Sequence, residues 1–275
     1  MQALKRPARN GLLWLTGGFN LVRGRPAALM AIVAAYWFAV LFISALPYLG
    51  SLLASLVMPA LSVGVMNACR RAEAGETPRL DVLISALRGD PKRARNLLAM
   101  GALYLSLSLV VLYLSSLFDG GTLMGLMTGR QVSAEDLQAP EFQTAAQVAL
   151  ALMAPILMAW WYAPMLVSWH GLSIGKALVF SFIACWRNWK AFLIYGMAAA
   201  AFSLPLLYLA ALAMMSAAIG EASSAQILFM LAILVLAPVY FASFYFTYRD
   251  VFTSDDDGAA AESTEPTGGN VDTEA

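Results

Sequence analysis

The pattern in this sequence that comes nearest to a catalytic motif is Gly-Leu-Ser-Ile-Gly at residues 171–175, with His170 directly before it. It matches Gly-x-Ser-x-Gly, in which the serine is a nucleophile. That chemistry requires a strand, a sharp turn and a helix, with a histidine and an acid converging from elsewhere in the fold. Here the motif joins two segments that the hydropathy pattern predicts to be helices. We therefore predict that Ser173 caps a helix and that the protein is not an enzyme; the competing hypothesis is an intramembrane hydrolase that uses Ser173.

Metal ions and cofactors are not expected to bind. The chain has one histidine and two widely separated cysteines, Cys69 and Cys185, which form no ligand cluster in the sequence. We expect both cysteines to be packing residues rather than a disulfide. No phosphate-binding loop or dinucleotide fingerprint is present. The 17 basic and 17 acidic side chains balance, which argues against a general electrostatic attraction to nucleic acid.

The elements that must position any site are long runs without charge. Hydrophobic residues make up 60% of the chain and charged residues 12%, against roughly half and a quarter in soluble domains. A helix needs roughly 20 apolar residues to cross the hydrocarbon core of a bilayer, and each uncharged run is longer than that. The runs are residues 26–69, 96–118, 142–169, 191–220 and 222–248. These runs predict an integral membrane protein.

Six membrane spans follow from the five runs. As one helix, the first run would measure roughly twice the bilayer thickness, so it must fold back on itself. Pro47 and Gly50 supply the turn, because the residue before a proline avoids helical backbone angles and glycine tolerates a positive φ. The predicted spans are residues 26–47, 51–69, 92–118, 142–169, 190–219 and 223–249.

The distribution of basic residues predicts the orientation. Six spans place both termini on one side, and all 17 lysines and arginines except Arg130 fall in the segments of that side. Positive residues concentrate in cytoplasmic connections. We therefore predict a multi-pass membrane protein with both termini in the cytoplasm. An aromatic band is expected near the cytoplasmic interface, formed by Trp160, Trp161, Tyr162 and Trp169 with Trp186 and Trp189.

The predicted fold is all-α, with six transmembrane helices, two or three amphipathic interfacial helices and a threefold internal repeat. Each unit would hold a short interfacial helix followed by a helical hairpin. Pro59 precedes Arg70 by eleven residues, as Pro238 precedes Arg249, which aligns the unit ends. The second interfacial helix is predicted to start with Thr77-Pro78 as cap and first residue. The single membrane domain (11–252) would divide into units 11–71, 79–170 and 174–250, between a cytoplasmic N-terminus (1–10) and a disordered acidic tail (253–275).

Two segments carry a resemblance to a known family. They are Ala-Cys-Arg-Arg-Ala-Glu-Ala-Gly-Glu-Thr-Pro at residues 68–78 and Gly-Phe-Asn-Leu-Val-Arg at residues 18–23. Through them the chain resembles an uncharacterised family of six-span bacterial inner-membrane proteins. More distantly it is similar to YciC-type proteins and to the membrane domains of some glycerophosphodiester phosphodiesterases. The resemblance implies a helical membrane module and carries no catalytic residue.

The candidate site is a set of basic residues on the predicted cytoplasmic side. Each such charge near an anionic membrane surface contributes about 1 kcal/mol of attraction. We predict that the protein organises lipids, among them anionic phospholipid, or binds a protein partner or a second copy of itself; the alternative is a permease for a lipid-like or small apolar solute. The predicted contact residues are Arg23, Arg25, Arg70, Arg71, Arg88, Lys92, Arg93, Arg95, Arg187 and Lys190.

Overall fold

The computed structural model describes residues 3–47, 49–218 and 223–252, and every regular element in these ranges is helical. By length and apolar composition, six of the helices can cross a membrane. A 3₁₀ helix, Leu80–Ile84, precedes α4. In chain order the α-helices are α1 (Asn10–Gly24), α2 (Pro26–Ser44), α3 (Gly50–Glu73), α4 (Ser85–Arg88), α5 (Pro91–Asp119), α6 (Thr122–Met127), α7 (Ala134–Gln138), α8 (Pro140–His170), α9 (Ile174–Arg187), α10 (Trp189–Ala218) and α11 (Ser223–Phe252).

The six predicted spans are confirmed as α2, α3, α5, α8, α10 and α11, with ends that differ by up to four residues from the predicted ones. The start of α5 follows the predicted capping chemistry. The Asp90 carboxylate accepts a hydrogen bond from the backbone N–H of Lys92, 2.9 Å away, and Pro91 occupies the first helical position. The predicted tail, residues 253–275, lies outside the described residues.

The spanning helices form three hairpins, and the second helix of each hairpin lies at the centre. In the most apolar stretch of each helix, buried residues make up 56%, 33% and 33% of α3, α8 and α11, against 22%, 22% and 0% of α2, α5 and α10. The central helices contact one another directly. The rings of Trp161 on α8 and Phe244 on α11 lie 5.2 Å apart, and α3 packs against both helices. We call α3, α8 and α11 the inner helices and the other three spans the outer helices.

Each short helix before a hairpin packs against the inner helix of another hairpin. The α1 helix packs against α11, the 3₁₀ helix and α4 pack against α3, and α9 packs against α8. These contacts are close because glycine removes the side chain between two backbones. A Cβ atom at Gly18 would overlap the backbone of Ser243, and one at Gly64 would overlap the carbonyl oxygen of Leu83. The predicted three-unit division stays a prediction.

A serine joins α9 to α8. The buried Ser181 hydroxyl accepts a hydrogen bond from the backbone N–H of Tyr162, 2.9 Å away, and donates one to the carbonyl oxygen of Met158 at 2.8 Å. Within a regular helix these two backbone groups would bond each other, since they are four residues apart. The hydroxyl therefore completes the hydrogen bonding of α8 while fixing α9 against it.

Two expectations about the short and aromatic segments are wrong in detail. The segment after Thr77-Pro78 begins its helix at Leu80, and that first turn is 3₁₀, because Arg79 before it is extended (φ −100°, ψ 161°). Tyr162 is fully buried, so the Trp160–Tyr162 segment belongs to the core rather than to an interfacial band. The α9 helix, by contrast, fits its apolar sequence: it buries small residues and exposes Val179, Phe180 and Ile183.

Candidate functional site

The predicted contact residues lie at one end of the bundle, which we call the basic end. It is formed by residues 3–9, by the last turns of α3, α8 and α11, and by the first turns of α2, α5 and α10. The backbone N–H of Leu4 donates to the carbonyl oxygen of Val251, 2.9 Å away, so the N-terminal segment and the end of α11 meet here. The Arg93 guanidinium donates to the carbonyl oxygen of Ser168 at 2.7 Å, which brings α5 and α8 to the same end.

A carboxylate on α3 holds a cation from α11 at the basic end. The Glu73 carboxylate forms an ion pair with the Arg249 guanidinium and accepts a hydrogen bond from the Tyr245 hydroxyl at 2.6 Å. The Arg249 guanidinium also lies 4.7 Å from the ring centroid of Phe246. Because both charges are paired, this group joins two inner helices and contributes little free positive charge to the surface.

Asn67 joins three helices beside that pair. Its amide donates to the Ser85 hydroxyl on α4 at 2.9 Å and accepts from the indole N–H of Trp169 on α8 at 2.8 Å. The Arg70 guanidinium then lies 5.7 Å from the Trp169 ring centroid, within the range of a cation–π interaction. The amide therefore fixes the tryptophan on which one predicted contact residue rests.

The Gly-x-Ser-x-Gly pattern lies at the helix–helix connection that the sequence predicted. The α8 helix ends at His170, and Gly171 after it has a left-handed backbone, φ 64°. Ser173 occupies the N-cap position of α9 with an extended backbone, but among the described residues its side chain makes no capping hydrogen bond. The imidazole Nε2 of His170 lies 2.7 Å from the Tyr248 hydroxyl. The structure thus places the histidine against α11.

Sequence reasoning missed the polar contacts that hold the N-terminal segment. The Asn188 side chain, 1% exposed, accepts a hydrogen bond from the backbone N–H of Arg6 at 2.7 Å and donates to the carbonyl oxygen of Leu4 at 2.9 Å. Asp250 accepts from the indole N–H of Trp14 at 2.7 Å and pairs with the Arg6 guanidinium at 3.0 Å. The available signal was the position of Asn188 and Asp250, two polar residues at the edges of uncharged runs.

The ten predicted contact residues divide into two groups. Arg25 donates to the carbonyl oxygen of Gly75, Arg93 pairs with Asp90 at 3.4 Å, and Arg70 and Lys190 lie over tryptophan rings. The second group is exposed and forms no ion pair with any described residue. We call its members the unpaired cations: Arg23, Arg71, Arg88, Lys92, Arg95 and Arg187.

Cys69 and Cys185 are both free and buried. Burial raises the pKa of the Cys185 thiol to about 12, because the charged thiolate loses its hydration. The thiol therefore stays protonated at neutral pH and acts as a packing residue, as predicted. Within the described ranges, no group of three or more His, Cys, Asp or Glu residues is arranged to hold a metal ion.

Similarity to one known protein identifies the family to which the chain belongs. Over 263 residues the chain is 36% identical to a protein of Burkholderia thailandensis whose name is probable inner membrane protein, and the match spans 94% of this chain and 97% of that relative. The chain belongs to the same family of inner-membrane proteins. With six helices of spanning length, the protein is a multi-pass protein of the inner membrane.

The more distant resemblances are not supported by the same comparison. No family model matches the chain, and no solved structure matches it. The similarity to YciC-type proteins and to glycerophosphodiester phosphodiesterase membrane domains stays a prediction. Function therefore has to be argued from the basic end itself.

Proposed function

We propose that this protein is a non-enzymatic module of the inner membrane that collects anionic phospholipid at its basic end. The observation that carries the proposal is the group of six unpaired cations at one end of an apolar bundle. Each basic group near an anionic surface attracts it by about 1 kcal/mol, and several act together. The paired groups, such as Arg249 with Glu73, fix the helices that present these cations.

We further propose that the basic end faces the cytoplasm, with both termini on that side. The contact between Leu4 and Val251 supports placing the two termini together. The positive-inside tendency supports the direction, because Arg130 is the one basic residue of the sequence at the opposite end, between α5 and α8. The cytoplasmic leaflet is also where anionic lipids give the membrane surface its negative potential.

Phospholipid recovered with the purified protein tests this proposal. The full chain is extracted in mild detergent, and the ratio of phosphatidylglycerol to phosphatidylethanolamine bound to it is measured by mass spectrometry. We expect enrichment of phosphatidylglycerol over the bulk membrane, and a smaller enrichment in the Arg71→Gln/Arg88→Gln/Arg95→Gln variant. Arg130→Gln, which removes a cation from the opposite end, is the control and should keep it.

Two outcomes contradict the proposal. Recovery of the membrane's bulk lipid ratio with the wild-type chain would show no preference for anionic lipid. Recovery of a reproducible protein partner without phospholipid, or of a stable homo-oligomer without it, would instead make the basic end a protein-binding surface.

A permease for a lipid-like or small apolar solute has one observation in its favour. Prolines lie inside α3, α8, α10 and α11, where each removes a backbone hydrogen bond and permits bending. Against it, fully buried side chains such as Val63, Tyr162 and Ala242 fill the contacts among the inner helices. Movement of a fluorescent lipid across reconstituted vesicles, above empty controls, would favour the permease.

A further inference from the structure

An open pocket lies at the basic end where the N-terminal segment crosses the α9–α10 turn. Its volume is about 460 Å³, within the roughly 300–1,000 Å³ typical of ligand sites. Four cations line it, two from the N-terminal segment (Lys5 and Arg6) and two from the turn (Arg187 and Lys190). The pocket is thus built from residues that are about 180 positions apart in the sequence.

Most of this positive charge is uncompensated. Arg6 pairs with Asp250, whereas Lys5, Arg187 and Lys190 are exposed and form no ion pair with any described residue. A concave site with several like charges lowers its electrostatic energy by taking up an anion. Ammonium and guanidinium groups together are the usual partners of phosphate oxygens.

The rim of the pocket is apolar and aromatic. Trp186 and Trp189 line it with 66% and 55% of their surface exposed. Exposed tryptophans with apolar neighbours are typical of the level at which lipid headgroups meet acyl chains. The outer face of α9 continues from the pocket through exposed Ile183 and Val179, and Leu193 does the same on α10. A ligand with a phosphate and an acyl chain therefore matches both parts of the surface.

Asn188 gives the pocket a fixed shape. It lines the pocket and is buried, and its amide bonds both Leu4 and Arg6, so the N-terminal segment is held against the turn before any ligand arrives. Preformed positions reduce the entropy cost of binding.

We propose that this pocket binds the phosphodiester headgroup of an anionic phospholipid, with the acyl chains lying on the exposed faces of α9 and α10. The inference rests on the proposed function and narrows it, because it assigns the tightest lipid binding of the basic end to one pocket. Arg187 and Lys190 are the contact residues that we expect to matter most.

The test measures binding of phosphatidylglycerol to the full chain in mixed micelles, with phosphatidylcholine as the lipid without net charge. We expect Arg187→Gln/Lys190→Gln to weaken phosphatidylglycerol binding by at least about tenfold, since two of the pocket cations are lost. The matched control, Arg79→Gln/Lys176→Gln, removes two exposed cations that neither line the pocket nor belong to the predicted contact residues, and should change phosphatidylglycerol binding by less than about threefold. The charge-preserving Arg187→Lys/Lys190→Arg should restore most of the affinity.

Competition with inorganic phosphate distinguishes a lipid headgroup from free phosphate as the anion in the pocket. If the pocket takes a lipid, millimolar phosphate should not displace phosphatidylglycerol, because free phosphate gains nothing from the apolar rim; displacement would overturn the lipid as occupant. Equal weakening by both double variants would overturn the pocket and leave the proposed function standing. No preference of the wild-type chain for phosphatidylglycerol over phosphatidylcholine would overturn both.

Discussion

The inner helix α3 and the outer helix α10 are equally apolar but are held in place by different interactions. The best apolar windows of α3 and α10 have the same mean hydropathy, 1.8, yet buried residues make up 56% of one and none of the other. Within a bilayer, lipid tails are as apolar as leucine, so apolar composition alone does not drive helices together. Close backbone approach at Gly64, together with hydrogen bonds at Asn67 and Ser181, joins the inner helices α3 and α8 to the short helices beside them.

The largest expected difference in the free energy of unfolding is between the loss of a buried tyrosine and the loss of an exposed one. Tyr162 on α8 is fully buried among aromatic rings, including Phe252 at 5.2 Å, whereas Tyr208 on α10 is 66% exposed. We expect Tyr162→Ala to lower the free energy of unfolding by about 3–5 kcal/mol, as for other large aromatic residues removed from a core. Tyr208→Ala should change it by less than about 0.5 kcal/mol. Unfolding by SDS in mixed micelles measures both, and equal losses would erase the distinction between inner and outer helices.

Adding one methyl group to a glycine should give the next largest difference in stability between an inner and an outer helix. Gly64→Ala on α3 forces the backbone of Leu83 away, whereas the control Gly196→Ala on α10 meets no atom within 4 Å. We expect the first to cost about 1–3 kcal/mol, the usual range for overpacking. The control should be neutral or slightly stabilising, since alanine is the better helix former. A thermal unfolding assay of the purified variants compares them; an unchanged midpoint for Gly64→Ala would mean that the 3₁₀ segment does not pack tightly on α3.

The smallest expected difference in the free energy of unfolding is between the variants of two serines. Ser181 bridges α9 to α8, whereas the exposed Ser106 donates to the carbonyl oxygen of Ala102 in its own helix at 3.0 Å. Hydrogen bonds between membrane helices contribute roughly 0.6–1.7 kcal/mol, so we expect Ser181→Ala to cost about 1 kcal/mol. Ser106→Ala should fall within about 0.5 kcal/mol of the wild type. The same SDS titration measures the free energy of unfolding of both variants. A larger loss for Ser106→Ala than for Ser181→Ala would contradict the role of Ser181 as a bridge between α9 and α8.

The sequence predicted the spans well because their signal is local. Loss of charge over about 20 residues, the proline at position 47 and the Asp90-Pro91 cap each depend on a few neighbouring residues. The predicted role of Gly50 is wrong, because this glycine is the first residue of α3 and its φ is not positive. Gly64 lies four residues from Ala60 and from Ala68, and small residues at this spacing allow close helix approach.

The contacts that shape the basic end could not be predicted in the same way. Asn188 binds a segment more than 180 residues earlier, and Asp250 binds Trp14, 236 residues away. Neither contact produces a periodic pattern or a compositional bias in the sequence. Tyr162 shows the opposite difficulty: aromatic residues near a span end fit an interfacial band and a buried core equally well, and only the position of α11 decides between them.

Labelling from outside the cell tests the central claim, that the basic end faces the cytoplasm and the Arg130 connection faces outward. Cys69 and Cys185 are replaced by alanine, and a single cysteine is introduced as Arg130→Cys or as Arg88→Cys. A membrane-impermeant maleimide is applied to intact spheroplasts and then to opened membranes. We predict that Cys at position 130 reacts in intact spheroplasts and that Cys at position 88 reacts only after opening. The reverse order would contradict the account.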